Sequence, residues 1–238
     1  MRLLARPHLI CTALLVAALA LAACGDDDGA SSGTTASTPT APTTSTTAAG
    51  DVDGALWPDP SGATEEATPA DVARSFVEDF IGMQNPAFGD FQQGDSRSGE
   101  VPVMRRGEDG TVLKDRVIAT IAVRQLDGVR WFVIAAMSDD IEIEDTGVPA
   151  QITSPVRIAG KGMGFEGNVV LRVHAAFDPK PLAEKPVIAG STKLEPFSAQ
   201  LAFERPPGAT GAIVARTGGG PAGTDPFAAI GVRFAAAP

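Results

Sequence analysis

From residue 147 to the end of the chain, proline and glycine recur every few residues. This punctuation limits the fold more than any other feature. A helix interior rejects proline and is weakened by glycine, whereas short strands joined by turns accommodate both. Between these breakers the sequence alternates apolar and polar, the period of a half-buried strand. The expected strands are Val156 to Ala159, Val169 to Phe177, Pro186 to Ser191, Phe197 to Phe203, Gly211 to Arg216 and Ala228 to Phe234. Val169, Leu171, Val173, Ala175 and Phe177 share a face, as do Phe197, Ala199, Leu201 and Phe203, and Ile230, Val232 and Phe234. Three such faces are enough to close a core between two sheets.

Residues 64 to 146 read differently. Thr68-Pro69-Ala70-Asp71 carries a capping residue, a proline fit for the first helical position and an acid placed for a capping box. Val72, Phe76, Val77, Phe80 and Ile81 follow at helical spacing, and Gly82 and Pro86 bracket the end. Phe88 and Phe91 stand as anchors in a polar stretch. Strands are expected around Val101 and Val103, along 111 to 126, and from Val129 to Met137, with Asp127-Gly128 as the hairpin turn. Trp131, Val133, Ala135 and Met137 are expected on one face, which places Trp131 in the core rather than on a ligand. The fold class is therefore mixed: a small α+β domain at 64–146, one helix on an antiparallel sheet, followed by an all-β immunoglobulin-like sandwich at 147–238. The first of these is similar in style to the helix-on-curved-sheet arrangement of cystatins and nuclear transport factor 2, a likeness that carries no function.

Residues 1–63 have no folding signal. Arg2 and Arg6 precede an uncharged stretch from Leu9 to Ala23 that ends in Leu21-Ala22-Ala23-Cys24. That stretch is short for a bilayer span of about 20 residues. The segment resembles the signal peptide and lipobox of bacterial lipoproteins. The resemblance implies cleavage before Cys24 and a diacylglyceryl group on its thiol, so residues 1–23 are expected to be removed. Asp26, Asp27 and Asp28 follow, and residues 29 to 50 are only Gly, Ala, Ser, Thr and Pro. No side chain there can offset the entropy of ordering the backbone, so 24–63 is expected to be a disordered tether.

Charge and cysteine usage exclude some roles. The net charge is −10; with Arg2 and Arg6 gone, 17 of the 19 basic residues remain against all 29 acidic ones, a balance of −12. Nucleic acid is not an expected partner, because phosphate binding draws on clustered Lys and Arg. Cys11 and Cys24 are the only cysteines, so no disulfide is available within the mature chain and stability must come from packing.

Ser154-Pro155-Val156-Arg157-Ile158-Ala159-Gly160, then Phe165-Glu166-Gly167-Asn168-Val169, Phe197 to Phe203 and the closing Ile230-Gly231-Val232 resemble the immunoglobulin-like domain of bacterial spore germination proteins. The resemblance implies an accessory or adhesive module of envelope lipoproteins, without catalysis. It does not extend to a sporulation-type partner domain.

No catalytic constellation emerges. Gly162 to Gly167 matches GxGxxG, but a strand is expected after it, not the helix whose N-terminus would meet a pyrophosphate. His174 is the one histidine after the leader and should point outward from its strand, a poor zinc ligand or triad member alone. Asp139, Asp140, Glu142, Glu144 and Asp145 are expected to form an exposed acidic strand, and Arg105-Arg106 a solvated strand end. No metal or cofactor is expected. The chain is read as a non-enzymatic lipoprotein on the outer face of the membrane, tethered through Cys24 and binding an envelope protein or wall polymer. The alternatives are a ligand binder or hydrolase with a cleft between the two domains, and a cystatin-like inhibitor of envelope enzymes.

Overall fold

The computed structural model describes residue 52 and residues 54–107, 109–144, 149–218 and 225–236. The leader, Cys24 and most of the expected tether lie outside these residues. The expected tether ran to residue 63, yet Ala55 and Leu56 are buried, and Leu56 and Trp57 exchange backbone hydrogen bonds with Val133. Leu56 and Trp57 are the first large apolar residues after the low-complexity run, and the core begins with them.

Helix α1 (Pro69–Ser75) starts as its sequence dictates. The Thr68 hydroxyl accepts from the Asp71 amide, and the Asp71 carboxylate accepts from the Thr68 amide. The helix continues into a π-helical turn at Phe76–Phe80 and stops at Gly82, whose φ of +74° suits glycine. Val72, Phe76, Val77, Phe80 and Ile81 are all buried, as their spacing predicts. The chain then runs through β1 (Ala87–Phe88), β2 (Gln92–Gln93), β3 (Ser98–Arg106), β4 (Val112–Gln125), β5 (Trp131–Met137), β6 (Ile141–Ile143), β7 (Ala150–Ile152), β8 (Val156–Gly162), β9 (Asn168–Ala175), β10 (Pro181–Ile188), β11 (Glu195–Leu201), β12 (Thr210–Thr217) and β13 (Phe227–Phe234).

Ten strands form one sheet in the order β1-β3-β4-β5-β13-β12-β9-β10, with β2 beside β3 and β7 beside β13. Three more form a second sheet, β11-β8-β6. Apart from the parallel β7–β13 pair, the pairings are antiparallel. The two expected domains are therefore not divided at 146: β5 pairs with β13 through Ala136↔Ala229 and Ala135↔Ile230. The described residues belong to one compact unit.

The long sheet has a core on each face. Helix α1 and its π-turn cover one side, packing on Val101, Val103, Ala119, Ile121, Val123, Val133 and on Ala212, Val214, Phe227 and Ala229. The small sheet covers the other, burying Val169, Leu171, Val173, Ile213, Ala215, Val232 and Phe234 against Ile141, Ile158, Phe197 and Leu201. Strands β12 and β13 thus send alternate residues into two different cores, which explains their nearly continuous apolar sequence.

Two strand-face expectations need correction. Trp131 and Val133 do share the helix-side face, but the register shifts between Ala122 and Val123, where Val123 faces Val133 and Ala122 faces Ala135. The extra residue turns Ala136, not Ala135 and Met137, toward the helix, and Met137 is half exposed. Phe177 lies beyond β9 in a turn with φ +62°, so it does not continue that strand's face.

Candidate functional site

His174 is not the exposed strand residue that alternation predicts. It does point away from the Leu171 face, but that side is roofed by the π-turn, and the ring is 2% exposed. It lies 4.9 Å from the Phe80 ring, with Nδ1 3.1 Å from the Asp178 carbonyl. Burial lowers its pKa below the usual imidazole value, against an opposing pull from that carbonyl. The ring is packed and hydrogen-bonded, and it does not line the concave surfaces described next.

One concavity is a trough of about 830 Å³ on the outer face of the small sheet. Its floor is Ala159, and its walls are Glu142 with Lys161 at 3.6 Å and Glu144 with Arg157 at 4.0 Å. These side chains are more than half exposed and neutralise one another, so each pair adds little. Glu142 and Glu144 thus form a charge ladder facing β8, whereas Asp140 precedes the strand and is half buried, and Asp145 lies outside the described residues. No group of three or more metal-ligating side chains stands together among the described residues.

The glycine-rich segment Gly162 to Gly167 makes the better site. It is a turn between β8 and β9, closing in a short 3-10 turn at Phe165–Gly167. Glu166 and Gly167 both take positive φ, +54° and +73°. A Cβ on Gly164 would lie 2.7 Å from the Thr217 side chain, and one on Gly167 would lie 2.7 Å from the Ala189 carbonyl. The Gly164 and Ala189 amides donate to the Gly190 and Gly167 carbonyls, at 2.9 and 2.8 Å. The turn is thereby clamped on both sides, and it holds the Phe165 ring 60% exposed.

Beside this ring is a cavity of about 230 Å³ whose lining includes Arg105, Asp140, Met163, Phe165, Ser191, Thr217 and Asp225. Asp225 is held by Arg216 at 3.2 Å, and Arg216 also donates to the Ile81 carbonyl. Asp140 is half buried, and its carboxylate has no hydrogen-bond or ion-pair partner among the described residues. Desolvation raises its pKa, and the Arg105 guanidinium partly opposes this. Arg105 and Arg106 differ in consequence: Arg106 is tied to the Asn85 and Gly110 carbonyls, whereas Arg105 is at the cavity. The sequence offers no signal that separates Asp140 from Asp139, or Arg105 from Arg106, because their neighbours come from β8, β12 and the 190–191 turn. The exposed phenylalanine was visible only as part of the Phe-Glu element.

Trp131 is not at this site. It packs half buried on the helix-side core, edge-on to Phe91 at 5.8 Å. The edge strands β10 and β11 offer little for strand addition, since they carry Pro186 and Pro196 within them.

The model of the immunoglobulin-like domain of bacterial spore germination matches residues 141–219. That region runs from β6 through β12 and includes the trough, the clamped turn and most of the cavity beside Phe165. It agrees with the resemblance seen in the sequence and covers about a third of the chain. No curated protein and no solved structure matches.

Proposed function

We propose that this chain is a non-enzymatic lipoprotein of the bacterial envelope, held by a lipid on Cys24 to the outer face of the membrane, whose immunoglobulin-like part binds another envelope component. The observation that carries the location is the sequence Leu21-Ala22-Ala23-Cys24 after a basic start and an uncharged run. No described helix is long and apolar enough to cross a membrane. Support for binding comes from the clamped turn, which presents an exposed aromatic ring beside a carboxylate that has no partner among the described residues, the arrangement of a recognition surface held ready in advance. The loops at the ends of immunoglobulin-like sandwiches are where such surfaces are carried.

Two measurements test the anchor. In the native host, the full-length protein should fractionate with the membrane, and mass spectrometry should find acyl chains on its first residue. Cys24→Ala should leave an uncleaved precursor or release the protein to the medium. Membrane retention and processing unchanged by Cys24→Ala, or a bare thiol on the purified wild-type protein, overturns the reading.

A further inference from the structure

We propose that the cavity beside Phe165 binds one ring of a neutral pyranose polymer, with the phenylalanine as the stacking platform and Asp140 as the hydroxyl acceptor. This rests on the reading of the chain as an envelope-binding module and names its partner as a glycan rather than a protein.

A pyranose presents two kinds of surface. Its C–H face carries a slight positive potential that meets the electron-rich face of an aromatic ring. Its rim carries adjacent hydroxyls, which donate together to a carboxylate and accept from a guanidinium. The cavity supplies a partner for each. Phe165 is 60% exposed on a turn that close backbone contacts keep from folding inward. An aromatic ring so held gains no burial within its own fold, and a ligand supplies that burial. Asp140 is half buried without a partner among the described residues, so a hydroxyl donor would recover the solvation it lacks. Arg105 provides the donor, and Ser191 a hydroxyl capable of either role. The cavity, at about 230 Å³, is on the scale of a single sugar ring rather than a peptide segment.

The charge balance selects a neutral chain. Asp140 has the guanidiniums of Arg105 and Arg116 near it together with the carboxylate of Asp139, and Asp225 is already matched by Arg216. No surplus positive charge is left at the cavity for a polyanion, and the chain as a whole is strongly acidic.

The test titrates N-acetylchitohexaose and cellohexaose, both neutral, into the full-length protein in detergent by isothermal calorimetry, with polygalacturonate as the anionic counterpart. Saturable binding of a neutral oligosaccharide is expected. Phe165→Ala and Asp140→Asn should each weaken it by about tenfold or more, a loss typical of a stacking or charged contact. Phe165 is 60% exposed, so Phe165→Ala should melt as the wild type does, and Asp140→Asn, which removes a carboxylate whose ionisation opposes folding, should melt no lower. Glu166→Gln, on the same turn but outside the cavity lining, should bind as the wild type does. No saturable binding of either neutral oligosaccharide, equal affinity in Phe165→Ala, or preference for polygalacturonate overturns the proposal. Capture on isolated cell walls separates the two readings. If the wild type and Phe165→Ala are retained equally, the envelope module stands and the pocket assignment falls. If the protein carries no lipid, the anchor falls while the oligosaccharide result keeps its meaning.

Discussion

His174 shows how much one side chain depends on what covers it. Strand alternation places it opposite Leu171 and Val173, and that is where it lies. Alternation does not say that the opposite face is also covered, and here Phe80 sits on it. The consequence is a pH dependence. The unfolded chain protonates this imidazole below about pH 6.5. The folded chain resists, because the charged ring would be buried against Phe80. The stability gained by keeping it neutral is therefore full above that value and erodes as the pH falls toward the lower folded pKa. Asp140, with its raised pKa, acts in the opposite sense, since protonation favours the folded state there. Thermal melts between about pH 7.5 and pH 5.5 should show falling stability, and His174→Gln, which keeps a donor for the Asp178 carbonyl, should flatten the profile. An unchanged slope in the variant would assign the dependence to other groups.

At the scale of elements, the helix start was legible in detail. Thr68, Pro69 and Asp71 act through contacts three residues apart, and nothing distant is needed to set them. Thr68→Ala should cost about 1 kcal/mol, the ordinary worth of such a cap, while Thr68→Ser should recover most of it. Chemical denaturation of the three proteins checks this; equal midpoints would show that the tertiary contacts of α1 alone hold its end. Asp71, held below the usual carboxylate range chiefly by the Thr68 hydroxyl, adds a further loss as the pH falls below about 4. The strands were less legible. Strand β5 reads as an unbroken alternation from Trp131 to Met137, but one residue too many on its side of the β4 pairing reverses the faces of its second half. A bulge of this kind depends on the register of two strands at once, so neither sequence declares it. The turn at Phe165–Gly167 was legible as glycine-rich, whereas its rigidity comes from Thr217 and Ala189, distant in sequence.

For the whole molecule, the decisive contact is that between β5 and β13. Read in order, residues 64–146 and 147–238 look like successive domains, because the helix signals stop and the spacing of breakers changes. In the fold, Ala212, Val214, Phe227 and Ala229 complete the core under the helix, and Leu56 contributes from the other end of the chain. A fragment ending at residue 146 should therefore not fold by itself. It would leave Ala135 and Ala136 without the strand beside them and the helix without part of its floor. A cooperative melt and dispersed amide spectrum from that fragment would restore the two-domain description. The match to residues 141–219 sits within this shared body and stops before β13, the strand that joins the sheet together.

The amino-acid sequence by itself determined what local interactions determine: the cap of α1 and its buried stripe, the location of most strands, the alternating faces of the sandwich and the lipobox that motivates the anchor. The tertiary structure alone decided which of those faces were covered twice, where β5 slipped its register, and that Arg105, Asp140 and Phe165 would meet around one cavity. The reason is physical. Period and propensity act over a few residues, while coverage, register and the convergence of side chains depend on pairings between segments a hundred residues apart, and these form only when the whole sheet closes.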